Sequence, residues 1–294
     1  LGDRKLEEQK LTLGYDLVEY PPRLWNRRNV SRVLHLDLLP AEVDDHYNVE
    51  VEVVGDIPGA LDMLCDAYDA MDEKPTYDLR QQEAVRHGML GEIAMHRDDV
   101  TVGTIRPQKV LWDVRDALGP EDIVLSDVGA HKMWIARHYH CDEPNTCLIP
   151  NGFCSMGFAL PGAIAAKMIH PDRNVVAICG DGGFLMNVQE METAARVGAG
   201  IVALVWEDGG YGLIGWKQQT EFGRHTDMSF NNPDWVRLAD SFGWAGRRVE
   251  RAGDVRDALD RALADDQPTL LAIPIDYREN PALTKRLGNI VCPI

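Results

Sequence analysis

Val175-Val176-Ala177-Ile178-Cys179-Gly180-Asp181-Gly182-Gly183 decides how this chain folds. Five apolar residues, three of them β-branched, have the pattern of a strand buried on both faces, and the glycines and aspartate behind them mark a turn. A second such strand follows, Ile201-Val202-Ala203-Leu204-Val205-Trp206, and it runs into Glu207-Asp208-Gly209-Gly210-Tyr211-Gly212. Between the two lies a helical stretch. Asn187 suits its N-cap, Glu190 completes a capping box, and Gly198 or Gly200 ends it.

Working outward, the alternation continues. Pro107 opens a helix with Val110, Leu111, Val114 and Leu118 on one face, and Gly119 stops it. Ile123-Val124-Leu125 is a further buried-type strand. Asn232-Pro233 starts a helix that Gly243 ends, Asp254 precedes another, and Thr269 to Ile275 closes the sheet. Apolar strands alternating with amphipathic helices predict an α/β fold with a mostly parallel sheet covered by helices on both faces. Residues 104–280 form this domain. Residues 1–73 read as the end of a second α/β domain, with strands at Val33-Leu34-His35-Leu36 and Val49–Val54. There Asp56 caps a helix that carries Leu61, Leu64, Cys65 and Tyr68 on one stripe. Residues 74–103 read as a linker with one helix over Leu79–Met95, and 281–294 as a tail.

The composition limits what the chain can be. Its 294 residues carry 47 Asp and Glu against 30 Lys and Arg, a net charge of -17, and 45% are hydrophobic. That apolar content is ample for a core and excludes a wholly disordered chain. The acidic balance argues against a protein that coats nucleic acid. It leaves room for a small phosphate site in which a metal ion and backbone amides supply the positive charge. No apolar run approaches the roughly 18 residues that a membrane span needs. The segment from Leu1 to Glu8 has no secretory pattern. The six cysteines form no Cys-x-x-Cys pair. Cys179 and Cys65 read as buried thiols, which fits a reducing cytoplasm. Cys141 and Cys147, near His138 and His140, do not follow a structural-zinc spacing.

The chemistry gathers at strand ends, where open parallel sheets bind their ligands. Three ends are loaded: Ser126-Asp127-Val128-Gly129-Ala130-His131, Gly180-Asp181-Gly182-Gly183, and Glu207 to Gly212. Each taken alone reads equally as a tight turn. Two neighbouring ends that each carry an aspartate invite a divalent cation, and the glycines let backbone approach a diphosphate. A dinucleotide fingerprint would need glycine at 185, where the chain has Leu185, and no Gly-Lys-Ser or Gly-Lys-Thr follows to make a Walker loop.

Gly180-Asp181-Gly182, followed after one structural unit by Trp206-Glu207-Asp208, resembles the thiamine-diphosphate motif. The chain is most similar to the acetolactate synthase family, particularly its catabolic branch, which works without FAD; FAD occupancy here stays open. Ser126 to Trp134 resembles the family's first cofactor loop, and Asn151-Gly152-Phe153-Cys154-Ser155-Met156-Gly157-Phe158-Ala159-Leu160-Pro161 its central loop. The similarity covers about residues 13–280 and is strongest over 121–245. It implies that Asp181, Asp208 and the backbone carbonyl of Gly210 hold Mg2+, and that Gly129, Ala130, His131, Gly180, Gly182 and Gly183 surround the diphosphate. It further implies that Met156 props thiamine diphosphate in its bent shape. Trp216 would pack against the reacting substrate or into the core. Lys217, Arg224 and His225 are candidate carboxylate binders or ordinary surface charges.

The implied reaction is condensation of two pyruvates to acetolactate with loss of CO2. Another thiamine-diphosphate enzyme acting on 2-keto acids, or a non-catalytic binding or assembly domain, remains an alternative. The family draws an activating glutamate from an N-terminal pyrimidine-binding domain of the partner subunit. Leu13-Gly14-Tyr15-Asp16 and His35-Leu36-Asp37 resemble the last part of its middle domain. The chain thus corresponds to a C-terminal half, expected to be inactive alone and to belong to a homo-oligomer when complete. Glu207 and Gly209-Gly210 depart from the family's asparagine-rich surroundings and imply a softer loop.

Overall fold

In a computed structural model of the protein, residues 9–17, 21–42, 44–76 and 78–285 are described. They fall into two compact units, one within Leu1–Leu79 and the other within Arg80–Arg286.

The first unit holds a three-stranded parallel sheet, β1 Gln9–Leu13, β2 Arg32–Asp37 and β3 Val49–Val54, in that order. Its small core is a polar knot. The Tyr47 hydroxyl, in a side chain 1% exposed, bonds Thr12 Oγ1 at 2.8 Å and His35 Nδ1 at 2.9 Å. Asp56 caps the helix Ile57–Asp69 by accepting the Gly59 N–H at 2.8 Å. The apolar stripe of that helix is not buried: Leu64, Cys65 and Tyr68 are exposed. Cys65 is therefore not the buried thiol its pattern suggested. β3 is itself exposed over most of its length, so among the described residues of this unit nothing covers the outer side of the helix.

The second unit begins with the helix Arg80–Ala94. Its sheet has six strands, all parallel among the described residues: β4 Ile123–Ser126, β5 Cys147–Leu148, β6 Val175–Gly180, β7 Val202–Glu207, β8 Ala245–Arg248 and β9 Thr269–Pro274. Their order is β5-β4-β6-β7-β9-β8. Alternate residues of β6 enter different layers, as strand pleating requires. Val176 and Ile178 join a core with Val110, Leu111, Trp134, Ile135, Val255 and Leu259, from the helices Pro107–Ala117, Ala130–His138 and Val255–Ala264. Val175, Ala177 and Cys179 join a core with Leu160, Phe184, Met191 and Trp235, from helices on the other face.

The chain passes from β4 outward to β5 and returns to β6 on the opposite side of β4. The helix Ala130–His138 after β4 lies on one face and the helix Asp181–Met186 after β6 on the other. This divergence opens a crevice at the carboxyl ends of β4 and β6, the switch point at which such sheets bind ligands.

Three sequence expectations need correction. β9 does not close the sheet: it lies between β7 and β8, and β8 is the edge. Gly246, Arg247 and Arg248 hide β8 from any apolar pattern. Gly246 is needed there because a Cβ would lie 2.8 Å from Ala239 Cβ and 3.1 Å from the Val236 backbone. β5 has two residues, too few for a periodic signal. Asn187 does not cap the helix Glu190–Val197; it ends the helix Asp181–Met186, and its side chain donates to the Gly157 carbonyl at 2.8 Å. Asn232-Pro233 does not start the next helix either. Asp234 caps Trp235–Ser241 by accepting from the Val236 and Arg237 N–H groups. Among the described residues, no helix is long and apolar enough to cross a membrane.

Leu204 on β7 is fully buried at the centre of the sheet. Leu204→Ala is expected to destabilise the second unit by about 2–5 kcal/mol, through lost transfer energy and the cavity left behind, measured by urea unfolding at unchanged helix content.

Candidate functional site

Three loops meet in one cavity at the carboxyl edge of the sheet. Val128, Gly129, Ala130 and His131 come from the loop after β4, Gly180 to Gly183 from the end of β6, and Asp208 and Gly210 to Ile214 from the loop after β7. Met156 and Tyr277 complete the wall. Every residue that the resemblance placed around the diphosphate lines this cavity, as do Asp181, Asp208, Gly210 and Met156. Trp216 does not: it lies one turn beyond the cavity-lining start of the helix Gly212–Phe222. Lys217, Arg224 and His225 are also outside the lining.

Asp181 is 1% exposed and opens the helix after β6. A carboxylate buried this deeply needs donors, and it has four. Its Oδ2 accepts the Gly209 N–H at 2.7 Å, the Asn232 side-chain amide at 2.8 Å and the Asp208 N–H at 3.1 Å; its Oδ1 accepts the Gly182 N–H at 2.8 Å. These bonds tie the end of β6 to the loop after β7. Burial, and then the neighbouring charge of Asp181, push the Asp208 carboxyl up to about 7. Two neighbouring buried carboxyl groups raise each other's cost of ionisation, and a nearby positive charge would relieve it. Among the described residues no group of three or more His, Cys, Asp or Glu is placed to hold a metal. A cation here would therefore take two carboxylates and complete its shell with backbone carbonyl, cofactor or water oxygen, which suits Mg2+.

The glycines of the β7 loop have steric reasons. Gly209 has φ +70°. A Cβ on Gly210 would lie 3.1 Å from the Met228 carbonyl oxygen, and one on Gly212 would lie 2.5 Å from Asp208 Oδ2. The loop is also braced, because the Tyr211 N–H donates to the Met228 carbonyl at 3.0 Å and the Phe230 N–H to the Gly209 carbonyl at 2.9 Å. These two bonds form an isolated antiparallel bridge between Gly210 and Ser229. On the β6 side, a Cβ on Gly182 would meet the Tyr211 ring at 3.0 Å, and one on Gly183 would meet Asp127 Oδ2 at 2.7 Å.

His131 is 2% exposed, and burial pushes its ring down to about 4, so the imidazole is neutral. Its Nε2 is buried without a partner. This spare hydrogen-bonding capacity in the cavity wall, beside Gly129 and Gly180, fits a polar ligand. Asp127 is fully buried, and burial pushes its carboxyl up to about 6 against three backbone N–H donors.

Four residues of the site escaped the sequence reading: Asp127, Tyr211, Asn232 and Tyr277. Asp127 was visible in its loop but received no role. Asn232 was masked by the proline after it. Tyr277 follows β9, and the strand-end rule that marked β6 and β7 applies there equally. Burial and the Asp208 and Asp181 charges push the Tyr277 phenol well above its ordinary value.

The fold is a parallel α/β sheet with a cavity at its switch point, where proteins of this class bind their ligands. The chain belongs to the thiamine pyrophosphate enzyme family, whose C-terminal TPP-binding domain matches residues 127–273. It is 34% identical over 95% of its length to an acetolactate synthase of Bacillus subtilis, of which it covers 49%. It is 33% identical over 97% of its length to a catabolic acetolactate synthase of Raoultella terrigena, covering 51%. A third relative, the acetolactate synthase isozyme 2 large subunit of Escherichia coli, is 32% identical over 85% of the chain. The chain spans about half the length of the curated relatives it matches.

Gly129 has φ +157°, and a Cβ there would lie 2.8 Å from the His131 ring. Gly129→Ala is expected to cost about 1–3 kcal/mol through strain and overpacking, read as a lower thermal midpoint, with the loss concentrated at this loop in amide exchange.

Proposed function

We propose that this chain supplies the diphosphate- and Mg2+-binding half of a thiamine-diphosphate-dependent enzyme that condenses two pyruvates to acetolactate with loss of CO2. The supporting observation is the pairing of Asp181 and Asp208 in a cavity otherwise walled by glycine backbone, apolar side chains and a neutral histidine. Among the described residues, no lysine or arginine lines it. Two carboxylates alone would repel a diphosphate, which favours a divalent cation binding with it.

Asp181, Asp208 and the Gly210 carbonyl would hold Mg2+. Gly129, Ala130, Gly180, Gly182 and Gly183 would admit the diphosphate close to backbone, with His131 offering Nε2. When bound, thiamine diphosphate supplies the electron sink for decarboxylating a 2-keto acid. Met156 would support the cofactor, while Tyr211, Leu213 and Ile214 would exclude water. The resemblance of the chain to acetolactate synthases over nearly its whole length supports pyruvate as the donor. In the complete enzyme a second subunit would provide the remainder of the site, so a homo-oligomer is part of the proposal. Trp216, outside the cavity, is assigned to packing beside the acceptor side rather than to contact with substrate.

Product analysis tests the reaction. Acetolactate supports it; acetaldehyde, acetyl phosphate or tartronate semialdehyde would move the protein to another branch of the family. The chain by itself, with thiamine diphosphate and Mg2+, is expected to bind cofactor but not to turn over pyruvate at a native-like rate. Such turnover by the chain alone would overturn the half-site proposal.

Two predictions concern the cation. Asp181→Asn should weaken Mg2+-dependent thiamine diphosphate binding by about 100-fold or more, since even outer-shell partners cost 10–100-fold, as read by titration calorimetry. Because the Asp208 carboxyl is raised to about 7, it is protonated below that pH and Mg2+ must displace the proton. Mg2+ affinity should therefore fall by about tenfold per pH unit below about pH 7 and level off above it. Calorimetry in two buffers of different protonation enthalpy should show proton release; an affinity constant from pH 5 to 8 would contradict this.

A further inference from the structure

Asp127 is fully buried, yet it does not line the cavity. Its backbone N–H extends the β4–β6 pairing by donating to the Ile178 carbonyl at 2.8 Å. Its carboxylate then reaches across to a loop 30 residues away. The Gly157 N–H donates to Oδ1 at 2.8 Å and to Oδ2 at 3.1 Å, and the Phe158 N–H to Oδ1 at 3.3 Å. Oδ1 also accepts the Val128 N–H at 2.7 Å. The same carboxylate fills the space above Gly183. One side chain therefore touches all three segments: 128–131, 156–158 and 182–183.

Gly157 is held from its other side too. Its carbonyl accepts the Asn187 side-chain amide at 2.8 Å, and its φ of +85° leaves no room for a Cβ, which would sit 2.7 Å from Asn187 Nδ2. The peptide joining Met156 to Gly157 is thus fixed through the Gly157 N–H by Asp127, and the residue beyond it by Asn187. Met156 lines the cavity immediately before this clamp. Holding this peptide restricts the backbone on the C-terminal side of Met156, and with it the positions from which the Met156 side chain can enter the cavity.

We propose that Asp127, with Asn187, is a positioning residue that sets the height of Met156 in the cavity, and so the fit of a ligand's organic part rather than its diphosphate. The proposal rests on the thiamine-diphosphate reading for the ligand, but the clamp is a property of the chain alone. A carboxylate suits the task because it accepts several N–H groups at once without offering a competing donor.

The test uses Asp127→Asn and Asn187→Ala in the full chain, with two measurements. Amide exchange needs no cofactor. Protection at 156–158 should fall by about tenfold or more in both variants, with the strands β6 and β7 unchanged; a uniform loss across the unit, or none at 156–158, overturns the proposal. Calorimetry then compares inorganic pyrophosphate with thiamine diphosphate, each with Mg2+. Asp127→Asn should retain pyrophosphate binding and lose about tenfold in thiamine diphosphate affinity, as should Met156→Ala, with the double variant no worse than either single one. Equal losses for both ligands would make Asp127 a general structural residue and overturn the proposal. A parent chain that binds pyrophosphate and thiamine diphosphate equally would instead sink the cofactor reading, while the exchange result still decides the clamp.

Discussion

Burying the Asp181 carboxylate is the constraint around which the second unit is arranged. A charge held 1% exposed at the end of β6 must be surrounded by donors. Its donors come from Gly182 in its own helix, from Asp208 and Gly209 after β7, and from Asn232 before the next helix. The parallel register that sets Cys179 beside Val205 and Gly180 beside Trp206 is what brings those N–H groups into range. Burial, and then the closeness of Asp181, raise the Asp208 carboxyl, so the hydrogen bonds that satisfy one aspartate leave its neighbour with the cost of ionising beside it.

The space in front of these carboxylates is kept open by glycine and closed behind by side chains. At Gly182, Gly183 and Gly212 an added Cβ would strike Tyr211, Asp127 and Asp208 respectively. The residues that make the glycines necessary are themselves parts of the site, so a substitution on either side of such a contact displaces the other. Asp127 extends this arrangement to the loop that carries Met156. The cavity is therefore shaped by polar bonds to backbone rather than by packing alone, which suits a ligand with a charged end and an organic end.

The first unit contrasts with the second. Its three strands and one capped helix are well formed locally, but β3 and the helix stripe remain exposed within it. Local signals such as the Asp56 cap and the alternating valines report the element correctly; they carry no information on whether a second layer covers it.

Much of the second unit was legible in the order of residues. Continuous apolar runs at 175–179 and 201–206, with glycine and aspartate directly after them, require buried parallel strands with polar ends, because such runs can neither face water nor continue through Gly-Asp-Gly. The placement of Asp181 and Asp208 at neighbouring strand ends follows from that reading. Tertiary structure decided what depends on distant partners. It made β8 an edge despite its arginines, and it placed β9 inside the sheet. It gave Asn187 and Asn232 to other loops instead of to helix caps, and it made Asp127 the meeting point of three segments. A cap or a turn is a contact between neighbours in sequence and leaves a local signature. A side chain whose partners lie 30 or 51 residues away has none, because only the folded sheet brings those partners to it.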